Sequence, residues 1–88
     1  MEATRIEALG QKVGERVRVS GWLYNRRSKG KIHFLQVRDG SGIVQSILVK
    51  GEVPEDVFDA ADHLPYESAI SVEGSVRADA RAPGGVEL

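Results

Sequence analysis

Two runs that alternate with period two, Ile32 to Arg38 and Ile43 to Lys50, flank the tetrapeptide Asp39-Gly40-Ser41-Gly42, and nothing else in the chain restricts its folding so strongly. Such runs around a glycine-rich turn read as an antiparallel hairpin. Direct register pairs residues whose numbers sum to about 81, setting Phe34 opposite Ile47, Gln36 opposite Gln45 and Arg38 opposite Ile43. Side chains alternate across a strand, so Phe34, Gln36, Arg38, Ile43, Gln45 and Ile47 share one face. Leu35, Val37, Val44, Ser46 and Leu48 share the other, an aliphatic floor for a core.

The remaining elements follow from turn signals at short spacing. Thr4 to Leu9 reads as one or two helical turns, with Thr4 as N-cap and Glu7 three residues on. Arg16 to Ser20 alternates as a first strand that continues through Gly21-Trp22-Leu23-Tyr24 toward Arg27, and Gly21 is the expected site of a bulge or sharp coil. Ser28 to Lys31 is a basic turn, and Pro54 to Asp62 a short amphipathic helix with Val57, Phe58, Ala61 and Leu64 apolar. Alternation returns from Ala69 to Val76, and Pro83-Gly84-Gly85 turns into Val86-Glu87-Leu88. Three strands, a helix, a fourth strand and the start of a fifth predict an all-β fold, the five-stranded Greek-key OB barrel. The 88 residues amount to one domain spanning 1–88. Only four residues follow Gly84, short for a closing strand, so the polypeptide is expected to continue beyond Leu88.

Composition removes several functions. With no cysteine there is no disulfide, zinc ribbon or thiol nucleophile. His33 and His63 lie thirty positions apart without a cysteine or spaced acid, which argues against a metal site. The longest apolar run, Ile47-Leu48-Val49, spans no bilayer, and Met1-Glu2-Ala3 does not open a secretory signal, so the expected location is the cytoplasm. No nucleophile elbow, phosphate-cradling loop or carboxylate pair is present.

The net charge of −1 hides a segregation. From Arg16 to Lys50 eight bases face one acid, Asp39, a local +7; from Gly51 to Val76 seven acids stand without a base, a local −7. Kept apart by the fold, these blocks give one face for phosphates and one that repels them. Intermixed on a small surface, they give neither, and charge alone leaves both readings open. On the hairpin, Phe34 and Gln45 are diagonal neighbours about 7 Å apart. A ring beside an amide suits stacking one unpaired base, worth about 1–3 kcal/mol, and reading its edge. Arg26, Arg27, Lys29 and Lys31 would hold the phosphodiester backbone. The plainer alternatives are a core Phe34 at a barrel end, a solvated Gln45 and a solvated basic loop.

From Gly21 to Gln45, with Gly-Trp, Arg26-Arg27, Phe34-Leu35, Arg38-Asp39-Gly40 and Gly42 in order, and again from Arg81 to Leu88, the chain resembles the N-terminal anticodon-binding domain of class II asparaginyl-tRNA synthetases. More broadly it is similar to the aspartyl, asparaginyl and lysyl subgroup, over essentially all its length. The resemblance implies that Phe34 stacks the central anticodon uridine, that Gln45 hydrogen-bonds it and that Arg26 or its neighbour supports it. It implies Glu87 near the first anticodon base, and Pro83 and Tyr24 near the third, where proline resembles asparaginyl or relaxed aspartyl enzymes. The implied partner is the asparagine tRNA with a GUU anticodon. Class II catalytic motifs are absent, so ATP and magnesium belong to a catalytic domain expected downstream. This chain is expected to bind tRNA without aminoacylating it and with no cofactor of its own; the family's homodimerisation depends largely on that other domain. The alternatives are a relaxed aspartyl-tRNA synthetase, a free-standing single-strand-binding OB protein and a protein-interaction module.

Overall fold

In the computed structural model, which describes residues 3–79 and 85–88, the two alternating runs form β2 (Ile32–Arg38) and β3 (Ile43–Val49). Their register is the expected one, with Phe34 facing Ile47, Gln36 facing Gln45 and Arg38 facing Ile43. Gly40 turns the chain at φ 92, a left-handed value that a side chain resists.

The long strand β1 (Arg16–Lys29) serves two partners. Arg16 to Trp22 pairs antiparallel with β4 (Ala69–Ser75), and Trp22 to Lys29 pairs antiparallel with β2. Two short strands, β5 (Arg77–Ala78) and β6 (Val86–Glu87), complete a sheet ordered β4-β1-β2-β3-β6-β5. The strands at its two ends, β4 and β5, are separated in the chain only by Val76, so the sheet returns on itself. This is the OB barrel, with β4 and β5 as one bent strand. The expected single strand Ala69–Val76 therefore breaks one residue early. Val76 turns its side chain into the core, and its N–H donates to the carbonyl of Glu15 (2.9 Å), the residue just before β1.

The expected bulge moves. It lies between Leu23 and Asn25, with Tyr24 the extra residue, and not at Gly21. Gly21 answers a different demand, because a Cβ there would collide with the Arg38 carbonyl, whose carbon would be 2.9 Å away. The bulge follows the point where β1 leaves the β4 ladder and continues with β2 alone.

The N-terminal helical segment is a 3₁₀ helix at Ile6–Gln11, and Thr4 does not cap it. Thr4 instead donates its N–H to the Arg18 carbonyl (2.7 Å). The free N–H groups of the helix reach the β2–β3 turn: Ile6 donates to Asp39 Oδ2 (2.8 Å) and Glu7 to Ser41 Oγ (3.1 Å). The acceptors that a helix start requires thus arrive from more than thirty residues away. Burial raises the Asp39 carboxyl, but hydrogen bonds from the Ser41 hydroxyl, the Ile6 and Ser41 N–H groups and the nearby Arg5 charge outweigh it and hold the group below its ordinary 3.8.

Helix α1 (Glu55–His63) runs one residue later than expected, with Pro54 as its N-cap. It buries Phe58 and Ala61, but leaves Val57 45% exposed, so Val57 is not on the core face. Phe58 stacks on the His33 ring with centroids 4.1 Å apart, and the two join Leu23, Leu35 and Leu48 at one end of the barrel. His33 is a buried core residue, its Nδ1 2.6 Å from the Ser28 hydroxyl. The other end is filled by Ile6, Leu9, Val17, Val19, Val37, Val44, Val76 and Val86. Each fully buried Leu or Val contributes about 1.5–3 kcal/mol of transfer free energy.

Candidate nucleic-acid interface

On β2 and β3 the sequence alternation becomes a burial alternation. His33, Leu35, Val37, Val44, Ser46 and Leu48 are buried, while Phe34, Gln36, Arg38, Ile43, Gln45 and Ile47 are half-buried on the outer face. Phe34 therefore is not sealed in the barrel, and Gln45 stands on its side of the sheet.

The bulge at Tyr24 decides which arginine joins them. Before it, the odd-numbered residues Val17, Val19 and Leu23 face the core; after it the parity reverses, so Arg26 pairs with inward Leu35 and Arg27 with outward Phe34. The Arg27 guanidinium sits over the Phe34 ring, 5.0 Å from its centroid. Arg26 turns to the other side. Its Nη1 donates to the carbonyls of Leu64 (2.6 Å) and Ala61 (3.2 Å) at the end of α1, and its guanidinium lies 5.6 Å from the Tyr66 ring. Of the two alternatives, Arg26 or its neighbour, the arginine placed at the ring is Arg27, and Arg26 ties the helix to the barrel.

Arg27, Phe34 and Gln45 line two adjoining depressions. The smaller, about 100 Å³, continues along Asn25, Arg26 and Gln36; the larger, about 850 Å³, runs over Ile47 to Arg77, Asp79 and Glu87. The larger lies within the range typical of ligand sites. Another opening, between β3 and β4, is lined by Val53, Val57, Val72 and Leu88 among others but has no aromatic ring on which a base could stack.

Glu87 lies beside Gln45 across the β3–β6 pairing. Its carboxylate is buried and accepts from Arg77 Nε (2.8 Å), with Nη2 also in contact. A buried carboxylate needs such a partner, since an unpaired one would cost several kcal/mol. No motif in the sequence marks Arg77. Its one signal was position, as the first base after the acidic block.

The charge blocks partly intermix. Because β4 pairs with β1, Glu73 reaches Arg18 (2.9 Å), and Glu67 in the approach to β4 reaches Arg38 (3.9 Å). Among the described residues, Arg27, Lys29 and Lys31 make no ion pair and remain as the positive tip of the β1–β2 hairpin. Lys29 and Lys31 are exposed on either side of Gly30. Tyr24 is exposed farther along the same outer face, and Pro83 lies outside the described residues.

An aromatic ring, an amide and a cation converge on the outer face of an OB barrel, and the family described as the OB-fold nucleic acid binding domain of tRNA anticodon type matches residues 17–88. The chain belongs to this anticodon OB family. Curated relatives include asparagine-tRNA ligase of Thermus thermophilus, 59% identical over 83 residues, and that of Desulforamulus reducens, 54% identical over 88 residues. These matches cover 94% and 100% of this chain and 19% and 20% of the relatives, so the chain spans about a fifth of their length. Among solved structures, asparaginyl-tRNA synthetase from Pyrococcus horikoshii in complex with asparaginyl-adenylate superposes with a TM-score of 0.92 at 42% identity. That match covers 100% of this chain and 20% of the other. The anticodon OB domain described above is thus similar to one found in asparaginyl-tRNA synthetases, and among its described residues no helix is long and apolar enough to cross a membrane.

Proposed function

We propose that this anticodon OB domain binds the anticodon loop of asparagine tRNA, reading GUU, as the recognition module of an asparagine-tRNA ligase. The observation that carries the proposal is that Phe34 and Gln45 share one outer face, with the Arg27 guanidinium over the Phe34 ring. The central uridine stacks on Phe34, where Arg27 lies in the free protein, and Arg27 shifts to cover the base or the adjacent phosphate. The Gln45 carboxamide offers a donor and an acceptor to the uracil edge, while Arg27 offers donors only and favours the uracil oxygens. Glu87 sits one strand away for the first anticodon base, and a guanine there would share or displace Arg77. Lys29 and Lys31 supply phosphate contacts from the hairpin tip. The aminoacylation step, with its ATP and magnesium, and the dimer contacts lie in the remaining part of such a ligase, acting in the cytoplasm.

The test is titration of the chain with stem-loops carrying GUU, GUC or GCU. Phe34→Ala and Gln45→Ala should each weaken GUU binding by on the order of 1–3 kcal/mol with the fold intact. Full affinity of a folded Phe34→Ala protein would defeat the stacking role. Equal binding of GUU and GUC would assign the domain to a relaxed aspartyl enzyme.

A further inference from the structure

Beyond Gln36 the outer face continues to a second aromatic group, Trp22 and Tyr24. Arg38 lies between two rings, 5.3 Å from the Trp22 centroid and 5.2 Å from that of Tyr24. Tyr24 is the bulged residue of β1 and is 43% exposed, so the bulge pushes a large flat ring toward solvent instead of into the barrel. Glu67 completes the group, with its carboxylate 3.9 Å from Arg38. Its backbone sits at φ 67, a conformation strained for a residue with a side chain, and its N–H donates to the Leu23 carbonyl (2.7 Å).

Arg38 is thus flanked by two rings and faces a carboxylate, and what the patch offers to a ligand is the open face of Tyr24, rimmed by one donor group and one acceptor group. Same-face positions on a strand are about 6.6 Å apart, which puts Phe34 and Arg38 about 13 Å apart along β2, with Gln36 between them. A base next to the one on Phe34 falls at the Gln36 step; Tyr24 stands in register between Val37 and Gln36, and its ring leans past Gln36 to Arg38, toward the step beyond. OB domains engage about 4–16 nucleotides, more than one ring can receive, and the patch is continuous with the Phe34 face.

We infer that Tyr24, braced by Arg38 and Trp22, is a second stacking platform, and that it takes the unpaired base of a nucleotide flanking the anticodon triplet. The inference rests on the proposed reading of the triplet by Phe34 and Gln45. Arg38 and Glu67 contact the edge of that flanking base without selecting strongly among bases, because stacking on a ring tolerates every base.

Abasic substitutions test it. A GUU stem-loop is prepared with a single abasic site at each loop position in turn and titrated against the wild-type chain, Tyr24→Ala, Tyr24→Phe and Phe34→Ala. The fluorescence of Trp22, the one tryptophan, reports occupancy beside the patch. In the wild type, an abasic site at one flank of the triplet should weaken binding about 5- to 100-fold. The same site should have no further effect in Tyr24→Ala, whereas the abasic central position should still weaken that variant; Tyr24→Phe should behave as wild type. Additive effects of Tyr24→Ala with every abasic position, or coupling to the third triplet position, would overturn the platform. Failure of Phe34→Ala to couple to the central position would overturn the triplet reading and leave the Tyr24 result to stand separately. No binding of the stem-loop by the wild type would overturn both.

Discussion

Replacing Arg26 and Arg27 separately with methionine should divide stability from RNA affinity between two adjacent residues of the same type. Methionine keeps much of the aliphatic stem and removes the donors, so packing is largely preserved. Arg26 loses two charge-assisted hydrogen bonds made by a single nitrogen, to the Ala61 and Leu64 carbonyls, and a cation–π contact with Tyr66. Hydrogen bonds to a charged group contribute about 1.5–3 kcal/mol and an exposed cation–π contact about 0.5–1 kcal/mol. Because one nitrogen serves both carbonyls, the expected total is about 2–3 kcal/mol. A domain of this length has a total stability of roughly 4–13 kcal/mol, so the loss is a large share of it. It corresponds to a fall in Tm of about 10–20 °C. Arg27→Met removes a contact with a half-buried ring and should cost under about 1 kcal/mol. It should instead weaken RNA binding and lower the magnitude of the salt slope by about 1. Urea unfolding followed by Trp22 fluorescence, with a constant m-value, and stem-loop binding at several salt concentrations measure both. If Arg27→Met destabilises more than Arg26→Met, or if Arg26→Met reduces the salt slope more, the parity reversal at Tyr24 is wrong.

Gly21→Ala should destabilise the fold by about 1–3 kcal/mol, because its methyl meets the Arg38 carbonyl and the β1–β2 seam must open; an unchanged urea midpoint would contradict the close approach. Asp39 has a folded-state pKa below its ordinary 3.8, so it contributes stability above that value and loses the contribution as pH falls through it toward the lower folded value. Unfolding free energies measured from about pH 5 downward should therefore drop more steeply for the wild type than for Asp39→Asn. Parallel acid limbs would remove Asp39 from the link between the 3₁₀ helix and the β2–β3 turn.

Much of the reading face was open to inference from local spacing. A four-residue turn between two alternating runs leaves one register that buries Leu35, Val37, Val44 and Leu48, and that register places Phe34, Gln36 and Gln45 outside. The roles of Asp39 and Ser41 were not legible in the same way. Both were read as parts of a turn, and only the approach of Ile6 and Glu7 makes them acceptors. Arg77 and Glu87 are ten residues apart, and their pairing depends on β5 meeting β6 across the barrel seam.

The amino-acid order by itself determined the β content, the hairpin register and the two faces of that hairpin, since all three follow from a period of two and a turn of fixed length. Tertiary structure alone decided that Arg27 faces outward while Arg26 braces α1, that Tyr24 is pushed toward solvent, and that the sheet closes at Val76. The reason lies in β1, which bonds to β4 along its first half and to β2 along its second. The extra residue falls just past the change of partner, and no local pattern in β1 records where its two neighbours begin and end.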